Sequence, residues 1–139
     1  MKLLLDTNII VDILSQRSGY EESLEVMRFC EAKIAVGFIT TATVLDVMYI
    51  LRKHINPENV REAVQTLLTI LDLEEIKKAD VTGAFEGGMT DYEDAVQAMC
   101  AKRTGADYIV TRNVHDFERA PVPAILPGGA LMLLRNQPV

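Results

Sequence analysis

Four aspartates stand out by their settings. Asp6 closes the stretch LLLDTN, where three leucines deliver a carboxylate, a hydroxyl and an amide in succession. Asp46 interrupts TTATVLDVMYIL, a segment that is otherwise nearly all apolar. Asp94 follows Asp91 and Glu93 and leads straight into Ala95, Val96, Ala98 and Met99. Asp116 lies in NVHDF. Each has an ordinary reading by itself. Asp46 fits a solvated helix stripe as well as a polar cavity, and acids at 91–94 suit the first turn of a helix capped by Thr90 or Asp91. Taken together, they are acids from four separate elements. Carboxylates that converge repel one another and hold their protons more tightly unless a cation is bound. Hard divalent cations with oxygen ligands relieve that repulsion, and Mg2+ keeps several waters while taking only a few carboxylates. Two such ions about 3.5–4 Å apart activate a water and stabilise the leaving oxygen of a phosphodiester. The chemistry these residues point to is hydrolysis of a nucleic-acid backbone. Asp91, three residues before Asp94 and on the same helix face, is a further acid.

The elements that must position them alternate between strand and helix. Residues 2–5 read as a buried strand, and Ile9, Ile10, Ile13 and Leu14 give a helix from Asn8 to Gln16. Residues 21–32 carry acids in the first turn and apolar residues at helical spacing. A second strand spans 35–39, and Thr40 or Thr41 caps a helix to about Lys53, buried on most sides. Pro57 opens a helix whose periodicity runs from Val60 to Leu71. A short strand is expected at 72–76 and a helix at 78–87, stopped by Gly87-Gly88. A further helix runs from Thr90 to Arg103. The last elements are a strand at 107–111, a short strand at 124–126 and a closing helix at 128–134. Strands separated by helices imply crossover connections, so the fold class is α/β, a three-layer α/β/α sandwich with a central, mostly parallel sheet. Ligands in such sheets bind beyond the carboxyl ends of the strands. Asp6 and the cluster Thr111-Arg112-Asn113 both fall on that edge.

The bulk numbers narrow the choice. A chain of 139 residues fits one domain, residues 1–139. A hydrophobic content of 49% argues against disorder. No apolar stretch reaches the roughly 18 residues of a membrane span. Lys2 is the only early positive charge, and Asp6 and Asp12 break the apolar run, so the N-terminus does not read as a secretory leader and a cytoplasmic protein is expected. Cys30 and Cys100 sit in apolar helical patterns and read as buried free thiols. The net charge of −6 counts against a simple electrostatic nucleic-acid binder. It does not count against a nucleic-acid enzyme whose bound metals offset the acids.

At this point LLLDTN, TVLDVMYILRK and DYEDAVQAMCAKRTGADYIVTRNVHDF together resemble the PIN domain, and most closely the bacterial VapC toxin type. The resemblance runs from Lys2 to about Leu126. It implies a Mg2+- or Mn2+-dependent endoribonuclease, neutralised as a toxin by a small antitoxin, and a homodimer. It makes Asp6 and Asp94 metal ligands, with Asp46 where the family more often has Glu. Thr7 and Asn8 shape the turn after Asp6. Asn113 stands where many relatives carry an acid, and Asp116 supplies the missing charge directly or through water. Asn8, Thr111, Arg112 and Asn113 would orient water or a phosphate. These departures leave a site competent for one metal ion, with the second in question. Arg112 is the best-placed partner for a phosphate. Arg52, Lys53 and Arg119 read first as solvated surface, and His115 as an ordinary loop histidine.

Three rivals remain. A haloacid-dehalogenase-type phosphatase would use Asp6 as nucleophile, but it wants an acid at position 8 and a late lysine. A receiver domain wants an acid and a lysine at later strand ends, and the third strand ends in Thr111-Arg112. The alternative of a different class is a PIN-scaffold module that binds RNA or protein with weak or no catalysis, which the residues at 46 and 113 favour.

Overall fold

A computed structural model describes residues 1–137. In chain order the elements are β1 (Lys2–Leu5), α1 (Thr7–Ser15), α2 (Tyr20–Glu31), β2 (Val36–Thr40), α3 (Thr41–Leu51), α4 (Pro57–Leu67) and β3 (Asp72–Glu74). They continue with α5 (Lys78–Glu86), α6 (Tyr92–Arg103), β4 (Tyr108–Val110), a single 3-10 turn at Val114–Phe117, β5 (Ala124–Ile125) and α7 (Pro127–Arg135). The strands form one sheet in the order β3-β2-β1-β4-β5, and every pairing is parallel.

The three layers follow from the pleat of β1. Successive side chains in a strand face opposite sides, so Leu3 and Leu5 point one way and Leu4 the other. Leu3 and Leu5 join Ile39 and Val110 in a core closed by apolar residues of α1, α2, α3, α4 and α7. Leu4 lies in register with Phe38 and Ile109, and these pack with Ala98 and Ala101 of α6, Phe117 and Val122. The two alanines let α6 approach the sheet closely, and α5 packs on α6. Cys30 is a free, buried thiol, pushed up to about 11 by burial. It packs so closely on β2 that a Cβ at Gly37 would lie 2.6 Å from its sulfur. Cys100 is likewise free and buried.

Two expectations need correction. The apolar periodicity from Val60 predicts a helix through Leu71, yet α4 stops at Leu67. Leu71 is buried because the chain turns there, with its N–H donating to Leu67 O at 2.8 Å, and drops back towards the sheet. The apolarity of 68–71 reflects burial at a turn, which periodicity does not separate from a helix. The second correction concerns α3. It packs against α1, α4 and β2, and its outer stripe stays open, with Leu45 71% and Tyr49 65% exposed.

Candidate active site

Because the sheet is parallel, neighbouring strands end on one edge, and β2, β1 and β4 run directly into Thr40, Asp6 and Thr111. All three are buried. Asp6 is the N-cap of α1, its Oδ1 accepting from the Thr7 N–H at 2.8 Å. Its Oδ2 accepts from the Thr111 hydroxyl at 2.8 Å and from Asn8 Nδ2 at 3.1 Å. Thr111 Oγ1 in turn accepts from the Asn113 N–H at 3.0 Å, and Asn8 Oδ1 accepts from the Arg112 N–H at 3.3 Å. The residues expected to orient water or substrate thus first hold Asp6 and the loop after β4. Burial raises the Asp6 carboxyl above its ordinary value; the hydrogen bonds from Thr111 and Thr7 oppose this, and the charges of Asp91 and Asp116 add to it.

A cavity of about 630 Å³ opens over this edge. Asp6, Asp46, Glu93 and Asp94 supply its acids, Arg17 and Arg112 its basic groups, and the half-exposed ring of Tyr92 and the exposed ring of Tyr49 stand at its rim. Asp94 lies in the first turn of α6, where the Asp91 carboxylate caps the helix by accepting from the Asp94 N–H at 2.9 Å. Its carboxyl is pushed up to about 7, first by burial and then by the charges of Asp6, Asp91, Asp116 and Glu93. Asp46, from α3, lines the same cavity, but its upward shift comes from burial alone. Asp116 lines a neighbouring cavity of about 550 Å³ with Asp91, His115 and Arg119, while its charge still reaches Asp6 and Asp94. The acids therefore form a cluster of Asp6, Asp91, Asp94, Glu93 and Asp116, with Asp46 across the first cavity. His115 pairs with Glu118 at 2.8 Å on the exposed surface. Arg52 lies over the ring of Tyr49, 3.7 Å from its centroid, and Lys53 is exposed.

The model of one family, described as PIN domain, matches residues 2–115. The chain belongs to the PIN domain family. No curated protein matches. The solved structures it resembles include DNA-bound VapBC from Salmonella typhimurium, 20% identical, with a TM-score of 0.71 over 91% of this chain and 98% of that one. A toxin-antitoxin complex from Klebsiella pneumoniae is 22% identical, with a TM-score of 0.68 over 90% of this chain and 97% of its own. VapC20 of Mycobacterium tuberculosis, a sarcin-ricin loop cleaving toxin, is 12% identical, with a TM-score of 0.62 over 77% of this chain and 86% of that one.

The PIN family implies a divalent cation. Among the described residues, no three acidic, histidine or cysteine side chains already close into a metal cage. The donor set nevertheless fits a hard cation that keeps much of its own water: every acid offers oxygen, and their mutual repulsion at Asp94 is the charge such an ion neutralises.

This PIN domain has further site residues that its sequence does not announce. Thr40 Oγ1 donates to Gln97 Oε1 at 2.7 Å, Gln97 Nε2 donates to Thr43 Oγ1 at 2.8 Å, and Thr43 Oγ1 shares a 2.9 Å hydrogen bond with Thr7 Oγ1. Gln97 follows Asp94 by three residues, Thr43 precedes Asp46 by three, and Thr7 adjoins Asp6. This chain ties the three acid-bearing helices beneath the cavity floor. Asp12 is the other omission. It is buried, and its carboxylate pairs with Arg112 Nε at 2.9 Å. Its one legible signal is that of Asp46, an acid inside an apolar helix.

Proposed function

We propose that this PIN domain, residues 1–139, is a Mg2+- or Mn2+-dependent endoribonuclease and the toxin of a cytoplasmic toxin–antitoxin pair. The observation that carries this is the gathering of acids at the strand edge where parallel sheets place their chemistry, with Asp94 pushed up to about 7 by burial first and then by the acids around it. The toxin reading also leans on the solved structures of like fold, which include VapBC complexes and a sarcin-ricin loop cleaving VapC. A small antitoxin and a second copy of the chain are the expected protein partners.

When bound, the cation supplies a water acidic enough to attack a phosphodiester and offsets the charge that develops on it. Asp6 and Asp94 would hold it, with Asp116 reaching it through water and Asp46 bounding the cavity opposite. Thr111 and Asn8 keep the Asp6 carboxylate in one orientation. Arg112 faces the cavity and pairs a phosphate oxygen. Asn113 stands at the fourth position as a neutral hydrogen-bonding group, which favours one metal ion over two. Tyr49 and Tyr92 offer stacking faces to unpaired bases at the rim.

The test is cleavage of a panel of structured RNAs with Mg2+ or Mn2+, with EDTA and Asp94→Asn as controls. Cutting that needs both the metal and Asp94 supports the reading. Absence of cutting by folded protein across the panel favours the second reading, a PIN-scaffold module that binds RNA or protein. The neutral Asn113, and Asp46 shifted by burial alone, favour that alternative. Calorimetric titration with Mn2+ separates a working acidic site from an idle one.

A further inference from the structure

The strongest unexplained feature outside the acid cluster is Asp12. It is 3% exposed, yet its Oδ1 has no hydrogen-bond partner. A buried carboxylate oxygen left in this way costs stability, so what the rest of the side chain holds matters. Two guanidinium groups approach it from outside: Arg112 Nε lies 2.9 Å from Oδ2, and Arg17 Nη1 lies 3.9 Å from Oδ1. Their side chains are 43% and 48% exposed, and both line the 630 Å³ cavity. Among the described residues they are its basic side chains. The pairing is anchored twice, because Asn8, one turn before Asp12 on the same face of α1, accepts from the Arg112 N–H. One carboxylate against two guanidiniums leaves a net positive charge on this wall, in a chain whose net charge is −6.

We propose that Asp12 is a positioning residue that holds Arg112 and Arg17 as a phosphate-binding wall, which grips the RNA backbone beside the bond to be cut. This rests on the nuclease reading of the same cavity. The wall answers the problem that an acid-lined site poses to a polyanion. The acids take the cation, and the two arginines hold the strand before and during the reaction. Asp12 fixes Arg112 through Nε and leaves its two terminal NH2 groups to meet phosphate oxygens.

The full chain is tested in EDTA with inorganic pyrophosphate as the probe, following the arginine Nε–Hε NMR signals. The Arg17 and Arg112 signals should shift saturably while Arg119 stays put, and Asp12→Asn should weaken the binding about tenfold. Unmoved Arg17 and Arg112 signals overturn the proposal. A second measurement uses fluorescein-labelled single-stranded RNA and Asp94→Asn protein, with anisotropy read at several salt concentrations. Arg17→Gln and Arg112→Gln, both at exposed side chains, should each lower the slope of log affinity against log salt by about 0.7. Adding Asp12→Asn to the Arg17→Gln and Arg112→Gln double variant should cost less than about twofold more. Unchanged slopes, or an Asp12→Asn that lowers only the melting temperature, overturn the proposal. If pyrophosphate moves both arginines but no RNA is cut with metal, the nuclease reading fails and the anion site stands.

Discussion

Asp80 of α5 and Asp94 of α6 sit on two helices packed against each other, and their carboxyls shift in opposite directions. Asp80 is 2% exposed, and burial alone would raise it. Arg103 outweighs burial, donating from Nε at 3.0 Å and Nη2 at 2.9 Å, and the Lys77 N–H adds a third hydrogen bond at 2.9 Å, so Asp80 is held below its ordinary value. Asp94 is half-buried and meets acids where Asp80 meets a guanidinium: burial raises it first, the acids add to that, and it reaches about 7. Burial pushes both acids up, and the cationic partner that Asp80 has and Asp94 lacks separates the structural acid from the candidate functional one. Asp80 is complete as it stands, whereas every charge that shifts Asp94 is an acid.

The sharpest way to break this contrast is to neutralise each acid. Asp94→Asn should cut RNA cleavage about a thousandfold, as removal of one group that stabilises transition-state charge does, and leave the melting temperature unchanged or higher. A variant that cuts normally would move Asp94 to the structural class. Asp80→Ala should do the reverse. It strands Arg103 and should cost about 3 kcal/mol, roughly 10 °C in melting temperature, with kcat preserved. Chemical denaturation beside single-turnover kinetics reads both quantities.

Metal addition gives a smaller effect. Mg2+ at about 100 times its dissociation constant should stabilise the protein by about 2.7 kcal/mol, and Asp94→Asn should abolish most of that gain. Scanning calorimetry with and without EDTA checks it. The pH dependence is the subtlest. Asp94 holds its proton more tightly folded than unfolded, so its contribution to the stability of the metal-free protein falls as pH rises from about 4 through 7. Asp80 holds its proton less tightly folded, so its contribution is present above about 3.8 and lost as pH falls through its depressed value. Melting curves of wild type and Asp94→Asn between pH 5 and 8 should therefore converge at the acid end. Parallel curves would sink the assignment.

The sheet and most helices are legible in the sequence because apolar periodicity and turn residues are local signals. LLL reads as a buried strand, and β1 is buried on both faces. The residues from Leu68 to Leu71 mislead because a turn tucked onto a core is as apolar as a helix. The exposure of Leu45 and Tyr49 is hidden for the opposite reason: what covers a helix lies elsewhere in the chain. The same holds in the site. Asp6 and Asp94 draw notice through apolar neighbours in the sequence. Gln97 and Thr43 resemble surface polar residues until their partners, 57 and 54 residues away, are in place. Asp12 carries the same signal as Asp46, and its meaning depends on Arg112, which only the pairing of β1 with β4 brings near.

The bond between Asp6 and Thr111 joins residues 105 positions apart. At roughly 5–20 residues per second, a ribosome needs on the order of 5–20 seconds between adding the first and adding the second. β1 can pair with β2 early, but the central strand waits for its other neighbour, and the Asp6 carboxylate waits with it. A nascent chain therefore lacks the ordered Asp6 carboxylate until β4 is in place, so the edge that carries the acids is among the last parts of the sheet to be completed.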